Sequence, residues 1–106
     1  MKTAVLTLSL LYSVSVWAVP KAATCEMHSG ENQTHMGMVV NGAQVNIKMG
    51  DGDPDRCALE SHSNYDLHAR CGSGEDAVYF GVKRSSGKVY ADFGTIAQLK
   101  NCRVQN

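Results

Sequence analysis

Four cysteines, Cys25, Cys57, Cys71 and Cys102, follow an uncharged apolar N-terminus, and these two features together narrow what the chain can become. The gaps between them are 32, 14 and 31 residues, so no two have the close spacing of structural zinc ligands. An even count in a short exported chain reads as two disulfides. Three pairings exist. The preferred one is Cys57–Cys71 with Cys25–Cys102. The first joins the start of an expected helix to the end of the strand after it. The second joins two positions near the termini of the mature chain, and domain termini are often close in space.

Export is expected from the first residues. Lys2 is the only charge before Lys21, and an apolar run from Ala4 to Leu11 lies between them. Val16-Trp17-Ala18 fits the small-x-small cleavage pattern, with Pro20 just beyond. The expected signal peptide is 1–18, and the expected mature domain is 19–106, secreted and extracellular. A membrane anchor is the rival reading, but the uncharged stretch 3–19 is at the lower limit for a span. A lipoprotein anchor on Cys25 would want Gly or Ala where Thr24 stands.

The 106 residues allow one domain. Ten basic residues balance ten acidic ones, which removes any simple electrostatic case for nucleic acid. With 43% hydrophobic residues the chain is not disordered, but so small a core benefits from covalent support.

Hydrophobic periodicity predicts an α+β fold, a small antiparallel sheet with two short helices. Asn41-Gly42 is a strong hairpin turn between strands over 36–40 and 43–49. Met36, Met38 and Val40 share one face, and Val45, Ile47 and Met49 another. Asp53 as N-cap and Pro54 at the first helical position predict a helix over 54–62. A strand over 65–71 places Tyr65, Leu67, Ala69 and Cys71 on one side and His68 and Arg70 on the other. A second hairpin follows, with Val78, Phe80 and Val82 facing inward, a loop at Ser85-Ser86-Gly87, and Val89, Ala91 and Phe93 on the core side. Thr95 caps a second helix over 96–100, and 102–104 closes the sheet as an edge strand.

Chemistry is sparse. His68, Arg70 and Glu75 supply the residue types a secreted ribonuclease needs around a phosphate. The plainer reading makes them ordinary solvated side chains. His28 and His35 flank a polar loop but form no metal-binding pair. Asp51, Asp53 and Asp55 resemble the start of a calcium loop, which then fails at Arg56 and His62. No catalytic residue, cofactor or metal is therefore assigned. Asn32-Gln33-Thr34 is a glycosylation sequon. Residues 19–65 carry three basic and six acidic side chains, and 66–106 carry six and four. Lys83, Arg84 and Lys88 cluster near the second hairpin's tip, a candidate contact surface for an anionic partner or a membrane channel.

The run Cys71-Gly72-Ser73-Gly74, Ala77 to Val82, Gly87 and Ile96 to Cys102 is similar to the fungal killer-toxin-like proteins and the related necrosis-inducing effectors. The resemblance covers about 67–104 and implies an apolar strand, a glycine and a closing helix. A second, architectural resemblance is to the small β-sandwich effectors of plant-pathogenic fungi, which carry a signal and open their first strand with a cysteine, here Cys25. Both imply a small secreted fungal protein acting on another organism, and the expectation drawn is a monomeric, non-enzymatic effector or toxin that binds a host or competitor protein. A ribonuclease using His68 and Glu75, or an extracellular inhibitor or binding module, stands as the alternative.

Overall fold

The computed structural model describes residues 19–106, and the expected signal segment 1–18 lies outside them. The described chain is an eight-stranded, antiparallel, closed barrel in simple meander order. Its strands are β1 (Ala22–Ser29), β2 (Asn32–Asn41), β3 (Gln44–Met49), β4 (Asp55–Leu59), β5 (Leu67–Cys71), β6 (Val78–Lys83), β7 (Ser86–Ala91) and β8 (Gly94–Gln105). One 3-10 turn, Gly74–Asp76, is the sole helical element among the described residues.

The α+β expectation is thus overturned, and both expected helices are strands. Asp53 and Pro54 carry good helix-start chemistry, but 50–54 is a turn that feeds β4. Cys57 lies buried opposite Cys71, and the demand to seat it on the barrel wall overrides local capping preference. The segment 96–100 lies within β8, so the closing helix implied by the toxin resemblance is absent. Residues 102–104 are not an edge, because β8 pairs with both β7 and β1. A single closed barrel also differs from the two packed sheets that the sandwich resemblance implies.

Two bulges explain why β8 does not read as a strand. Val89 pairs with Ala97 and Tyr90 with Thr95, so Ile96 is an extra residue, half exposed. Glu26 then pairs with Lys100 and Thr24 with Arg103, which leaves Asn101 and Cys102 opposite the single Cys25. Asn101 takes a left-handed φ of 51°, a conformation asparagine tolerates well. The bulge flips the side-chain phase. Ala97 and Leu99 point inward before it, and Cys102 points inward after it. An odd-to-even switch of this kind looks like helical spacing when read as sequence.

The hairpin read at Asn41-Gly42 is present, shifted by one residue. Asn41 pairs with Gln44, so Gly42-Ala43 forms the turn, and Gly42 has φ 65° at its first central position. The same position of the β6–β7 turn, Arg84-Ser85, is held by Arg84 with φ 54°.

Eight strands leave an interior just wide enough for side chains to fill. Met36, Met38, Val45, Ile47, Leu67, Val82 and Leu99 are its largest fully buried members. The outer faces carry residues such as Glu26, Lys48, Arg56, Lys88 and Lys100. That is the inverse of a membrane-spanning barrel, which is apolar outside. No helix among the described residues is long and apolar enough to cross a membrane.

Both disulfides form in the preferred pairing. Each links neighbouring strands, β1 to β8 and β4 to β5, rather than a helix to a strand. Two disulfides fit an oxidising setting.

Candidate functional site: a tyrosine–histidine face on β5–β7

The outer wall formed by β5, β6 and β7 carries all three tyrosines of the described chain, two on its strands and one laid over it from the β4–β5 loop. Tyr79 on β6 sits opposite Tyr90 on β7, and their rings stack with centroids 5.2 Å apart. His68 on β5 stacks with Tyr79 at 5.6 Å. Tyr65 was expected on the inner face of a strand. It instead belongs to the β4–β5 loop and lies on the outer face, nearly parallel to His68 at 5.5 Å. His62, from the same loop, closes the cluster at 4.9 Å from both Tyr65 and His68.

Glycine makes this seat. Gly81 is the outward residue of β6 directly opposite His68. A Cβ there would lie 2.6 Å from the Tyr65 ring, well inside contact distance. The Tyr65 ring therefore rests flat on the β6 backbone, and it covers His68 in doing so. His68 is only 5% exposed, although it sits on the outer wall of the barrel.

Burial decides the charge of His68. Desolvation, helped by the nearby His62, pushes its pKa down, against a smaller opposing pull from Glu60. The neutral ring shares a 2.6 Å hydrogen bond between Nε2 and the Tyr90 hydroxyl. Its Nδ1 is buried without a partner, a cost that a protonated ring would feel more strongly. Burial, with the neighbouring Tyr65 and Tyr79, also raises the Tyr90 pKa. Lys88 completes the face, its Nζ 5.2 Å from the Tyr90 ring centre. At the flank, Arg70 Nε donates to Glu60 Oε2 at 2.8 Å and Nη1 donates to the Gly72 carbonyl. The Glu60 carboxylate raises the Arg70 pKa.

The remaining sequence candidates are dispersed. Arg70 is engaged by Glu60 rather than by Glu75, which is exposed in the 3-10 turn. Lys83 and Arg84 stand exposed at the β6–β7 tip, where the Arg84 backbone N–H donates to Asp66 Oδ2 at 2.9 Å. Lys88 lies lower on the same hairpin, opposite Gly81. Asn32 is exposed where the β1–β2 turn enters β2. His28 pairs with Glu26 at 3.2 Å, and that contact holds the Glu26 carboxyl below its usual range. His35 is exposed on β2. Asp51, Asp53 and Asp55 are exposed, and no group of three acidic, histidine or cysteine side chains is placed to hold a metal among the described residues. Phe93, expected on the core side, is fully exposed in the β7–β8 turn.

Sequence reasoning missed the tyrosine face, although a signal was present. Tyr79 and Tyr90 already alternate outward on adjacent strands, and Gly81 interrupts the outward series between Tyr79 and Lys83. No protein-family model matches the chain, and neither does any curated protein or solved structure. The class defined here is therefore structural: a small, disulfide-closed β-barrel with an aromatic outer face.

Proposed function

We infer that the protein is a secreted, non-enzymatic binding module of the inhibitor or effector kind, which acts by docking on another protein through its tyrosine–histidine face. The observation that supports this reading most is the convergence of Tyr65, Tyr79 and Tyr90 with Lys88 and Arg70 on one outer wall. Tyrosine and arginine are the residues that anchor protein interfaces, because they bury large rigid surfaces at low entropic cost. The barrel interior is filled by its own core, so the chemistry on offer is external. A rigid, closed wall presents its contact residues with little left to order on binding.

The ribonuclease alternative asks His68 to exchange protons with a substrate. His68 is covered by Tyr65 and bonded to Tyr90, which suits a residue that orients the tyrosines better than one that meets a phosphate.

The test compares oxidised wild-type protein with Lys88→Glu and with Tyr79→Ser, each confirmed folded by its circular dichroism. Three readouts are followed: responses of living plant and fungal cells, inhibition of purified secreted hydrolases, and cleavage of RNA. The expected result is a stoichiometric cell response or enzyme inhibition that both variants weaken, with no RNA cleavage. RNA cleavage abolished by His68→Ala in a folded protein would overturn the reading in favour of an enzyme.

A further inference from the structure

Seven of the ten acidic residues lie at one end of the barrel. The meander places the β1–β2, β3–β4, β5–β6 and β7–β8 connections together there. They bring Glu31, then Asp51, Asp53 and Asp55, then Glu75 and Asp76, then Asp92, all exposed. The opposite end collects Lys21, Lys83, Arg84, Lys100 and Arg103, with Glu60 and Asp66 of the β4–β5 connection among them. The carboxylates of the described barrel are thus unevenly shared between its two ends.

An acidic ring by itself marks only a well-solvated end. Phe93 makes this one different. It occupies the two-residue β7–β8 turn between Asp92 and Gly94, and its side chain touches nothing that shields it from solvent. Turn chemistry favours Gly, Asn or Asp at such a position, so local folding does not call for a phenylalanine. Ile96, pushed outward by the bulge two residues after the turn, adds a second exposed apolar side chain. Glu75 and Asp76 flank this tip on one side, and Glu31 on the other, by the strand order of the barrel. Tyr90 lies on β7 three residues before Phe93, so the tyrosine face runs into this end.

We propose that the acidic end is the deep part of the docking surface, with Phe93 entering an apolar recess of a cationic partner protein and the surrounding carboxylates meeting that recess's Lys and Arg rim. This rests on the binding-module reading and adds the partner's chemistry to it. A projecting aromatic ringed by charge of one sign fits a concave site ringed by the other sign. The carboxylates steer the encounter and reject anionic surfaces, while Phe93 supplies the anchor.

The probes are two sets of purified secreted hydrolases, one strongly basic and one strongly acidic, presented to the oxidised protein at low and high salt. The expected result is saturable binding to a basic member and none to the acidic set. Phe93→Ala should weaken binding by roughly thirtyfold, as for an interface anchor. Glu75→Gln with Asp76→Asn and Asp92→Asn should slow association and flatten its salt dependence. Lys83→Glu, at the far end, should leave binding unchanged. Binding confined to the acidic set, or indifferent to Phe93→Ala, overturns the proposal, as does absence of binding to every basic member. Binding that is lost in Lys88→Glu but not in Phe93→Ala would sink this inference and leave the docking role of the tyrosine face standing. Indifference to both variants would sink the two together.

Discussion

The β8–β1 seam and the β4–β5 seam each carry one disulfide, yet they are built in opposite ways. At β8–β1 six residue pairs hold register on both sides of a bulge, and Cys25–Cys102 closes a loop spanning 77 positions. At β4–β5 only Ala58–Arg70 and Leu59–Ala69 pair, and Cys57–Cys71 spans 14 positions. The first disulfide sits in a seam that already has an extensive hydrogen-bonded ladder. The second stands where the ladder is shortest, and it closes the segment that carries His62 and Tyr65. One bond therefore restrains the unfolded chain most, while the other restrains the local opening of the candidate site.

The largest expected effect is loss of the long loop. Replacing Cys25 and Cys102 by Ser should cost about 4.5 kcal/mol, a large part of a small domain's net stability. A denaturant midpoint close to wild type would contradict it. The Cys57→Ser, Cys71→Ser pair should cost about 3 kcal/mol. Its more telling signature is local, because amides of β4 and of 60–66 should exchange hydrogen before the rest of the barrel. Uniform loss of protection would show that the two seams open as one.

A smaller effect tests the site on the weak seam. Gly81→Ala forces the Tyr65 ring off β6 and should cost about 1–3 kcal/mol, the usual range for overpacking. Tyr65→Ala should remove most of that penalty. Additive costs in the double variant would show that the ring does not rest on Gly81.

Acid offers a graded way to loosen the same face. The pKa of His68 is depressed in the folded state. Its contribution to stability is thus fully present above the unfolded value of about 6.5 and is lost progressively as pH falls below it. His68→Gln should flatten that part of the stability profile, whereas an unchanged profile would assign the acid sensitivity elsewhere. The smallest expected effect is a gain. Arg84→Gly places glycine in the left-handed position that Gly42 fills in the β2–β3 turn, and should stabilise by about 0.5–1 kcal/mol. A loss would mean that the arginine side chain supports the tip.

The sequence was most legible where local pattern and global packing agree. The β2–β3 hairpin combines strict alternation with a glycine turn, and it was found to within one residue. Phe80, Val82 and Val89 were placed on the core side, where they are buried. Reading failed at β4 and β8. At β4, Asp53 and Pro54 give a genuine capping signal that the barrel does not use. At β8, two bulges break the period-two alternation that identifies a strand. Tyr65 was misplaced because its burial comes from a ring lying on Gly81, a contact between residues 16 positions apart that no local window contains.

By itself, then, the sequence determined a small disulfide-stapled domain and the hairpins whose alternation is unbroken, and it favoured one of three cysteine pairings that the structure then showed. Tertiary structure decided the barrel, the site and the uneven sharing of carboxylates between the two ends. Closure depends on β8 changing phase at Asn101 so that Cys102 can meet Cys25, and that phase is set by the register of β8 against β1, a pairing between residues 77 positions apart. The acidic end and the tyrosine face arise in the same way, from residues distant in the chain that a meander brings to one end and one wall.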